Sequence, residues 1–344
     1  MESILVTGGA GYIGSHLLVK LIEAGNHVVV LDNYSNSSPT SINKVYEIID
    51  MQEMYSKNLV IYEGSINDRI FLDKLFLKYN FKCVIHLAGL KSVGHSISKP
   101  LNYFYNNVVG SLTLLEAMNN ANVFNFVFSS SATVYGEVKQ MPISETSKLG
   151  EIKNPYGRSK LMVEGILTDL AKSDERWSIA ILRYFNPVGA HKSGKIGELP
   201  SGTPNNLFPY IANVATGDLD YLLIHGNDYP TADGSGVRDY IHILDLADGH
   251  IAALAWVERN KGVDIWNLGT GKAYSVFEVL EEFQRVVGKK IPFKIGSRRS
   301  GDIAECWANP EKAYKELNWS ACFDLDEMVE DAWRWQIEST QNNF

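Results

Sequence analysis

Tyr156 and Lys160 stand four residues apart, just after Asn154-Pro155, which reads as a helix start with Asn as cap and Pro in the first turn. The apolar positions Met162, Val163, Ile166, Leu167 and Leu170 continue along one helical face, so Tyr156 and Lys160 fall one turn apart on the same side. An ammonium beside a phenol favours the phenolate and lowers its pKa from about 10, which suits Tyr156 to act as a general base near neutral pH. Upstream, Ser131 closes an apolar run in Ser129-Ser130-Ser131-Ala132-Thr133, where its hydroxyl can bond the same substrate oxygen. The plainer alternative for Tyr156 and Lys160 is an ordinary amphipathic helix; the serine upstream argues for chemistry at an oxygen.

A second constellation lies at the N-terminus. Gly8, Gly11 and Gly14 form G-x-x-G-x-x-G between a short apolar run and a helical pattern. Glycine is needed there because the backbone must turn tightly and approach a pyrophosphate with no Cβ in the way. The following helix start offers N–H groups and a positive dipole end to phosphates. Asp32, 18 residues past Gly14, ends the next run; a carboxylate there accepts both hydroxyls of an adenosine ribose and repels a 2′-phosphate, favouring NAD over NADP. A glycine-rich turn and a solvated strand end are the alternatives without a ligand. Leu87-Ala88-Gly89 closes another run with small residues that would let a cofactor lie close. Asn106 and Asn107 interrupt an apolar helical stretch, and their amides need partners, either cofactor or a neighbouring loop.

The elements that must position these residues follow from periodicity. Ser3–Thr7, His27–Leu31, Asn58–Tyr62, Cys83–Leu87 and Asn125–Ser129 are apolar runs that alternate with helical patterns such as Ile13–Ala24 and Asp68–Tyr79. Runs apolar on both faces, alternating with helices, imply a parallel sheet covered on both sides: a doubly wound α/β fold with ligands at the carboxyl ends of its strands. The second half is less regular. Ala190–Asn206 and Gly226–Gly236 read as long loops, Ser275–Val287 and Leu325–Ile337 as helices. We expect a dinucleotide-binding (Rossmann) domain over 1–185 that also carries Ser131, Tyr156 and Lys160. A smaller α/β substrate-binding domain is expected over 186–344, with a strand returning to the first domain near 236–270.

Composition narrows the function classes. The chain has 344 residues, 45% hydrophobic and 21% charged, with net charge −8. That is globular and net acidic, so no overall field attracts nucleic acid or an anionic membrane, and any grip on an anion must be local. Cys83, Cys306 and Cys322 are odd in number and widely spaced, so neither a zinc site nor a disulfide framework is expected, which suits a reducing cytoplasm. The first residues lack a signal-peptide pattern and no run approaches 18 apolar residues.

These residues resemble the extended short-chain dehydrogenase/reductase family, and within it the UDP-galactose (UDP-glucose) 4-epimerases. The resemblance is carried by Gly8-Gly9-Ala10-Gly11-Tyr12-Ile13-Gly14-Ser15-His16, by Ser129-Ser130-Ser131-Ala132-Thr133-Val134-Tyr135-Gly136 and by Tyr156-Gly157-Arg158-Ser159-Lys160. It continues in Arg183-Tyr184-Phe185-Asn186-Pro187-Val188-Gly189-Ala190 and Gly236-Val237-Arg238-Asp239-Tyr240-Ile241-His242, and reaches Asp324–Trp335. It implies a tightly bound NAD and oxidation of a sugar at C4. Tyr156 would take the 4-hydroxyl proton, Ser131 would bond the sugar oxygen, and Lys160 would tune Tyr156 and hold the nicotinamide ribose; the 4-keto sugar would turn over before reduction on the other face. Tyr12, Ile13, Asn33, Asn36, Ser37, Ser65, Ile66, Leu87, Ala88, Gly89, Lys91, Asn106 and Phe185 match cofactor positions. Lys91, Thr133, Phe185, Asn186, Asn206 and Leu207 match nucleotide-sugar contacts, Leu223, Ile224 and His225 a strand along the uracil, and Asp302 a ribose contact. Arg238 and Arg299 are the cations that would grip the diphosphate. The family also implies a homodimer packed through helices around Leu101–Ala121 and Tyr156–Lys172.

Departures from the family pattern carry information. Ser65 replaces an aspartate near adenine, and His225 an aromatic ring against uracil. Cys306, in Glu305-Cys306-Trp307, stands where some members have tyrosine against the sugar. Its smaller side chain would leave room for an N-acetyl group, so turnover of UDP-GalNAc/UDP-GlcNAc is expected beside UDP-Gal/UDP-Glc; the alternative is a packed cysteine without effect on range. A 4,6-dehydratase would need an Asp-Glu pair where Ala132-Thr133 stand. A silent NAD-binding sensor would have no need of Ser131, Tyr156 and Lys160.

Overall fold

The computed structural model describes residues 1–51, 56–138, 140–200, 202, 204–299 and 302–341. The first half supplies β1 (Glu2–Thr7), β2 (Val28–Asp32), β3 (Leu59–Glu63), β4 (Asn80–His86), β5 (Asn125–Ser131) and β6 (Ser178–Tyr184). The second half supplies β7 (Asn186–Val188), β8 (Leu222–His225), β9 (Val237–Arg238), β10 (Tyr240–His242), β11 (Gly262–Leu268), β12 (Tyr274–Ser275), β13 (Phe293–Gly296) and β14 (Glu305–Cys306). Seven strands form one sheet in the order β11-β6-β5-β4-β1-β2-β3, every pair parallel. β11, from within the 236–270 stretch, pairs with β6 from Gly262↔Ser178 to Leu268↔Tyr184.

Strand alternation explains why both faces are covered. Ile4 and Val6 of β1, Val28 and Val30 of β2, and Ala180 and Leu182 of β6 pack into one apolar cluster. Their neighbours Leu5, Val29, Leu31, Ile179 and Ile181 point into another on the opposite face. Helices Tyr12–Glu23, Pro39–Met51 and Ile243–Val257 fill the first layer; Arg69–Lys78, Gly110–Asn120 and Pro155–Ser173 fill the second. The strand order reverses between β1 and β4, so the loops after these strands splay apart and open a crevice at their carboxyl ends.

Small sheets carry the rest: β10-β7, β13-β8 and β12-β9-β14. A third apolar cluster around Phe208, Ile211, Phe283, Met328 and Val329 joins helices Leu207–Thr216, Val276–Val287 and Leu325–Gln341. The two expected long loops, Ala190–Asn206 and Gly226–Gly236, hold neither helix nor strand among the described residues. The helical stretch expected around Asn106 is a π-helical turn, Phe104–Val109, between two α-helical pieces.

Candidate active site

The dinucleotide end is built from β1 and the helix that follows it. Gly8 has φ +73°, and a Cβ there would lie 2.6 Å from the Ala88 amide nitrogen; one at Gly14 would lie 2.4 Å from the Gly8 carbonyl oxygen. Only glycine lets these backbones meet. Gly11 caps Tyr12–Glu23 without a side-chain acceptor, an arrangement suited to an anion. The buried Asp32 carboxylate is aimed at this loop, accepting from the Ala10 amide at 2.9 Å on one oxygen, and from the Tyr34 amide and Ser37 hydroxyl, both at 2.9 Å, on the other. Asn33 and Asn36 are exposed beside it, Ser65 and the buried Ile66 follow β3, and Ile13 packs partly buried on the core. Tyr12 donates to the Gly189 carbonyl at 2.6 Å and so ties the glycine loop to the second half.

Leu87-Ala88-Gly89 runs directly against β1, the Ala88 amide donating to the Thr7 hydroxyl at 3.3 Å. Asn107 answers the question its sequence left open. Its amide clamps both backbone groups of Leu90, at 2.8 and 3.0 Å, and donates to Ser159 at 3.1 Å. Asn106 bonds Asn107 at 3.0 Å. The π-turn therefore fixes the loop after β4 to the helix that carries Tyr156.

Around that helix start the candidate reacting groups converge. The Asn154 side chain accepts from the Gly157 amide at 2.7 Å, and Pro155 occupies the first turn, as its sequence predicts. β5 extends two residues past its expected end, so Ser131 is its last residue and its hydroxyl accepts from Thr133 (Oγ1) at 3.0 Å. The Ser131 hydroxyl lies near enough to the Tyr156 phenol to act on its pKa. Lys160 is buried, its Nζ donating to the Ser129 carbonyl at 2.6 Å and lying 4.8 Å from the centre of the Phe128 ring. The expected depression of the Tyr156 pKa by Lys160 is corrected here. Burial raises it, the neighbouring Ser131 hydroxyl pulls the other way, and Tyr103 adds to the rise. The Lys160 ammonium is spent on a carbonyl and a ring face. Its own pKa is pushed down to about 8 by burial, with Glu164 opposing.

The distal end assembles from the second half. Phe185 is buried, with Cys306 packed partly buried in the same small cluster. Cys306 pairs with Arg238 across β14 and β9, and burial pushes its thiol up to about 11. Asn186 donates to the Asp239 carbonyl at 2.7 Å, while the Asp239 side chain accepts from Thr270, Gly271 and Ala308 and braces the segment after Arg238. Arg238 donates to the carbonyls of Val237 and Ala304 at 2.8 and 3.2 Å. Arg299 is exposed and paired with Asp302 at 2.9 Å, so an anion would compete with that carboxylate. Leu223 and Ile224 lie in β8, and His225 faces the Ser297 carbonyl at 3.3 Å. A cleft of about 390 Å³ opens beside Asp302, Tyr229 and Arg298.

Sequence reasoning missed Glu198. Its carboxylate joins Lys91 at 2.9 Å to Asn206 at 2.7 Å, just ahead of Leu207, and so ties two expected ligand-binding segments together. Nothing in its irregular loop marks it. Glu164 and Arg183 were missed as well; the four-residue step from Lys160 to Glu164 was the available signal.

The chain matches the family described as GDP-mannose 4,6 dehydratase over residues 5–332. It is 54% identical over 334 residues to the UDP-glucose 4-epimerase of Bacillus subtilis, covering 97% of this chain and 96% of that one. Among solved structures, the UDP-glucose-4-epimerase of Stenotrophomonas maltophila with bound NAD and formylated UDP-arabinopyranose superposes with a TM-score of 0.95 at 46% identity, over 99% of both chains. The Bifidobacterium longum UDP-glucose 4-epimerase, in complex with NAD+ and UDP, has a TM-score of 0.94 at 46% identity, over 99% of this chain and 100% of that one. Identity of this extent, sustained along nearly the whole chain, places it in the UDP-glucose 4-epimerase family of extended short-chain dehydrogenase/reductases.

Proposed function

We infer that the chain is an NAD-dependent UDP-glucose 4-epimerase, interconverting UDP-galactose and UDP-glucose. The observation that carries this is the convergence of Ser131, Tyr156 and Lys160 at the end of β5, beside a glycine cradle that a Cβ would fill. NAD fits that cradle: Gly8, Gly11 and Gly14 admit the pyrophosphate, and Asp32 takes the adenosine ribose. Asn33, Asn36, Ser37, Ser65 and Ile66 surround the adenosine. Leu87, Ala88, Gly89, Lys91, Asn106 and Phe185 border the nicotinamide half. When bound there, NAD supplies a hydride acceptor and donor.

The protein's own groups do the rest. Ser131 orients the sugar 4-oxygen and Tyr156 exchanges a proton with it. Lys160, anchored on the Ser129 carbonyl, would donate to the nicotinamide ribose. Burial that keeps the resting phenol protonated makes the base dependent on charge arriving in the site. Arg238 and Arg299 neutralise the diphosphate, with Arg299 exchanging Asp302 for phosphate oxygens and Asp302 turning to the uridine ribose. Asn186, Asn206, Leu207 and the strand Leu223–His225 seat the nucleotide. Thr133 and Cys306 border the hexose, and the cysteine leaves space for an N-acetyl group, so UDP-GalNAc and UDP-GlcNAc are substrates too.

The family match also spans dehydratases. Elimination needs a titrating pair after Ser131, and Ala132 and Thr133 supply none. The helix pieces from Leu101 to Leu112 and the helix Pro155–Ser173 expose Leu101, Tyr105, Val109, Leu112 and Met162, and these faces pair two copies into a homodimer. No described helix is long and apolar enough to cross a membrane, and the cysteine pattern suits the cytoplasm. The test is incubation of the purified protein with UDP-galactose and no added NAD; UDP-glucose as product supports the reading, and a product lighter by one water overturns it.

A further inference from the structure

Glu164 lies one helical turn beyond Lys160 and is 3% exposed. Lys160 and Glu164 meet β5 at adjacent residues, the Lys160 ammonium on the Ser129 carbonyl and the Glu164 carboxylate on the Ser130 hydroxyl. Both of its oxygens are engaged. Arg183 of β6 reaches it twice, at 3.0 Å from Nε and 2.6 Å from Nη2, and the Ser130 hydroxyl donates at 2.5 Å. Arg183 in turn lies 4.6 Å from the Tyr135 ring centre, and Tyr135 donates to Asn267 at 2.6 Å. A buried bidentate pair of this kind is costly to desolvate and gives little net stability against an apolar replacement. Its place one helical turn from Lys160 points to a role other than stability.

We propose that Glu164 is the positioning residue for Lys160: clamped by Arg183 and Ser130, it fixes the helix against β5 and β6 and sets how much negative charge faces the Lys160 ammonium. This rests on the reading of Lys160 as a working residue of the site. The other groups facing Lys160 do not supply that charge. Tyr156, on its own helix, carries a protonated phenol at rest because burial raises its pKa. His86 of β4 is held neutral, its pKa pushed to about 3 by burial and by Lys160 itself. β5 presents the Ser129 carbonyl and the Phe128 ring, and β6 presents Tyr184, bonded to Ser129 and His250. The π-turn presents the neutral amide of Asn107 near Gly89. Burial alone lowers Lys160, and Glu164 opposes it. Arg183 sets the strength of that opposition, because its positive charge offsets the carboxylate.

The two partners of the ion pair must therefore shift Lys160 in opposite directions, which a purely structural pair would not do. The experiment is the titration of Lys160 in full-length protein labelled with ¹³C at lysine Cε, the Lys160 signal being the one that K160M removes. In E164Q the titration should move down by about one pH unit or more, since a negative charge is lost and a buried positive one is left unopposed. In R183M it should move up, and in the E164Q/R183M double variant it should recover part of the E164Q shift. E164D, which keeps the charge on a shorter stem, should titrate near wild type. An unchanged Lys160 titration in E164Q overturns the proposal. Should E164Q fail to fold, R183M carries the test, and an unchanged or lowered titration there overturns it. Failure of the Lys160 reading itself is a separate result: K160M would retain full turnover while the E164Q shift persisted.

Discussion

At the residue scale, three side chains from two elements, Ser131, Tyr156 and Lys160, carry the proposed chemistry. Tyr156 and Lys160 were legible as a spacing and Ser131 as a strand-terminal hydroxyl, because helix period and strand ending are local properties. The state of the phenol was not legible. Whether Lys160 lowers it depends on where the ammonium points, and the Ser129 carbonyl at 2.6 Å decides that. Replacing Tyr156 by Phe should cut kcat by a factor of about 10²–10⁴ while retained NAD stays unchanged. Loss of the cofactor along with turnover would instead mean that the phenol is a binding group. Cys306 gives the second prediction at this scale. Cys306→Tyr should abolish turnover of UDP-GalNAc and spare that of UDP-galactose, as judged by chromatography of products. Full N-acetyl-sugar turnover in that variant would return Cys306 to the role of a packed cysteine.

At the element scale the first-half strands and helices were readable, since a doubly covered parallel sheet writes its runs directly into the sequence. The π-turn at Phe104–Val109 was not, because its extra residue per turn leaves no periodic trace over six positions. Small sheets such as β12-β9-β14 were equally hidden; two-residue strands have no alternation to detect. The glycine loop makes the sharpest element-scale prediction. Gly14→Ala would place a methyl 2.4 Å from the Gly8 carbonyl oxygen, so helix and strand must part. Retained NAD in the purified variant should drop sharply, and thermal unfolding should fall. Asn154→Ala removes only a helix cap and should cost about 1 kcal/mol in urea unfolding, with turnover reduced through the displaced Tyr156.

At the scale of the whole molecule, burial of neutral histidines shapes the response to pH. His16 and His86 are pushed down to about 3, His191 and His250 to about 4, each first by burial. A base whose folded pKa is depressed stabilises the fold fully above its unfolded value near 6.5 and loses that contribution as pH falls toward the folded value. Urea midpoints should hold above about pH 7 and fall steadily from about 6.5 toward 4. A flat profile across that window would contradict the burial of these rings. Which of the apolar helix faces meet solvent was beyond the sequence, since core and interface stripes look alike. The structure leaves Leu101 79% exposed. The proposed homodimer predicts that Leu101→Glu yields monomers in light scattering, with the fold intact by circular dichroism.

The central claim is that one site, with a retained cofactor, inverts a sugar at C4. Its most direct measurement is the product formed from UDP-galactose by purified protein without added NAD. UDP-glucose of identical mass should form, at a rate that Tyr156→Phe cuts by about 10²–10⁴. No conversion by protein that demonstrably carries NAD, or a product that is oxidised or dehydrated, would contradict it.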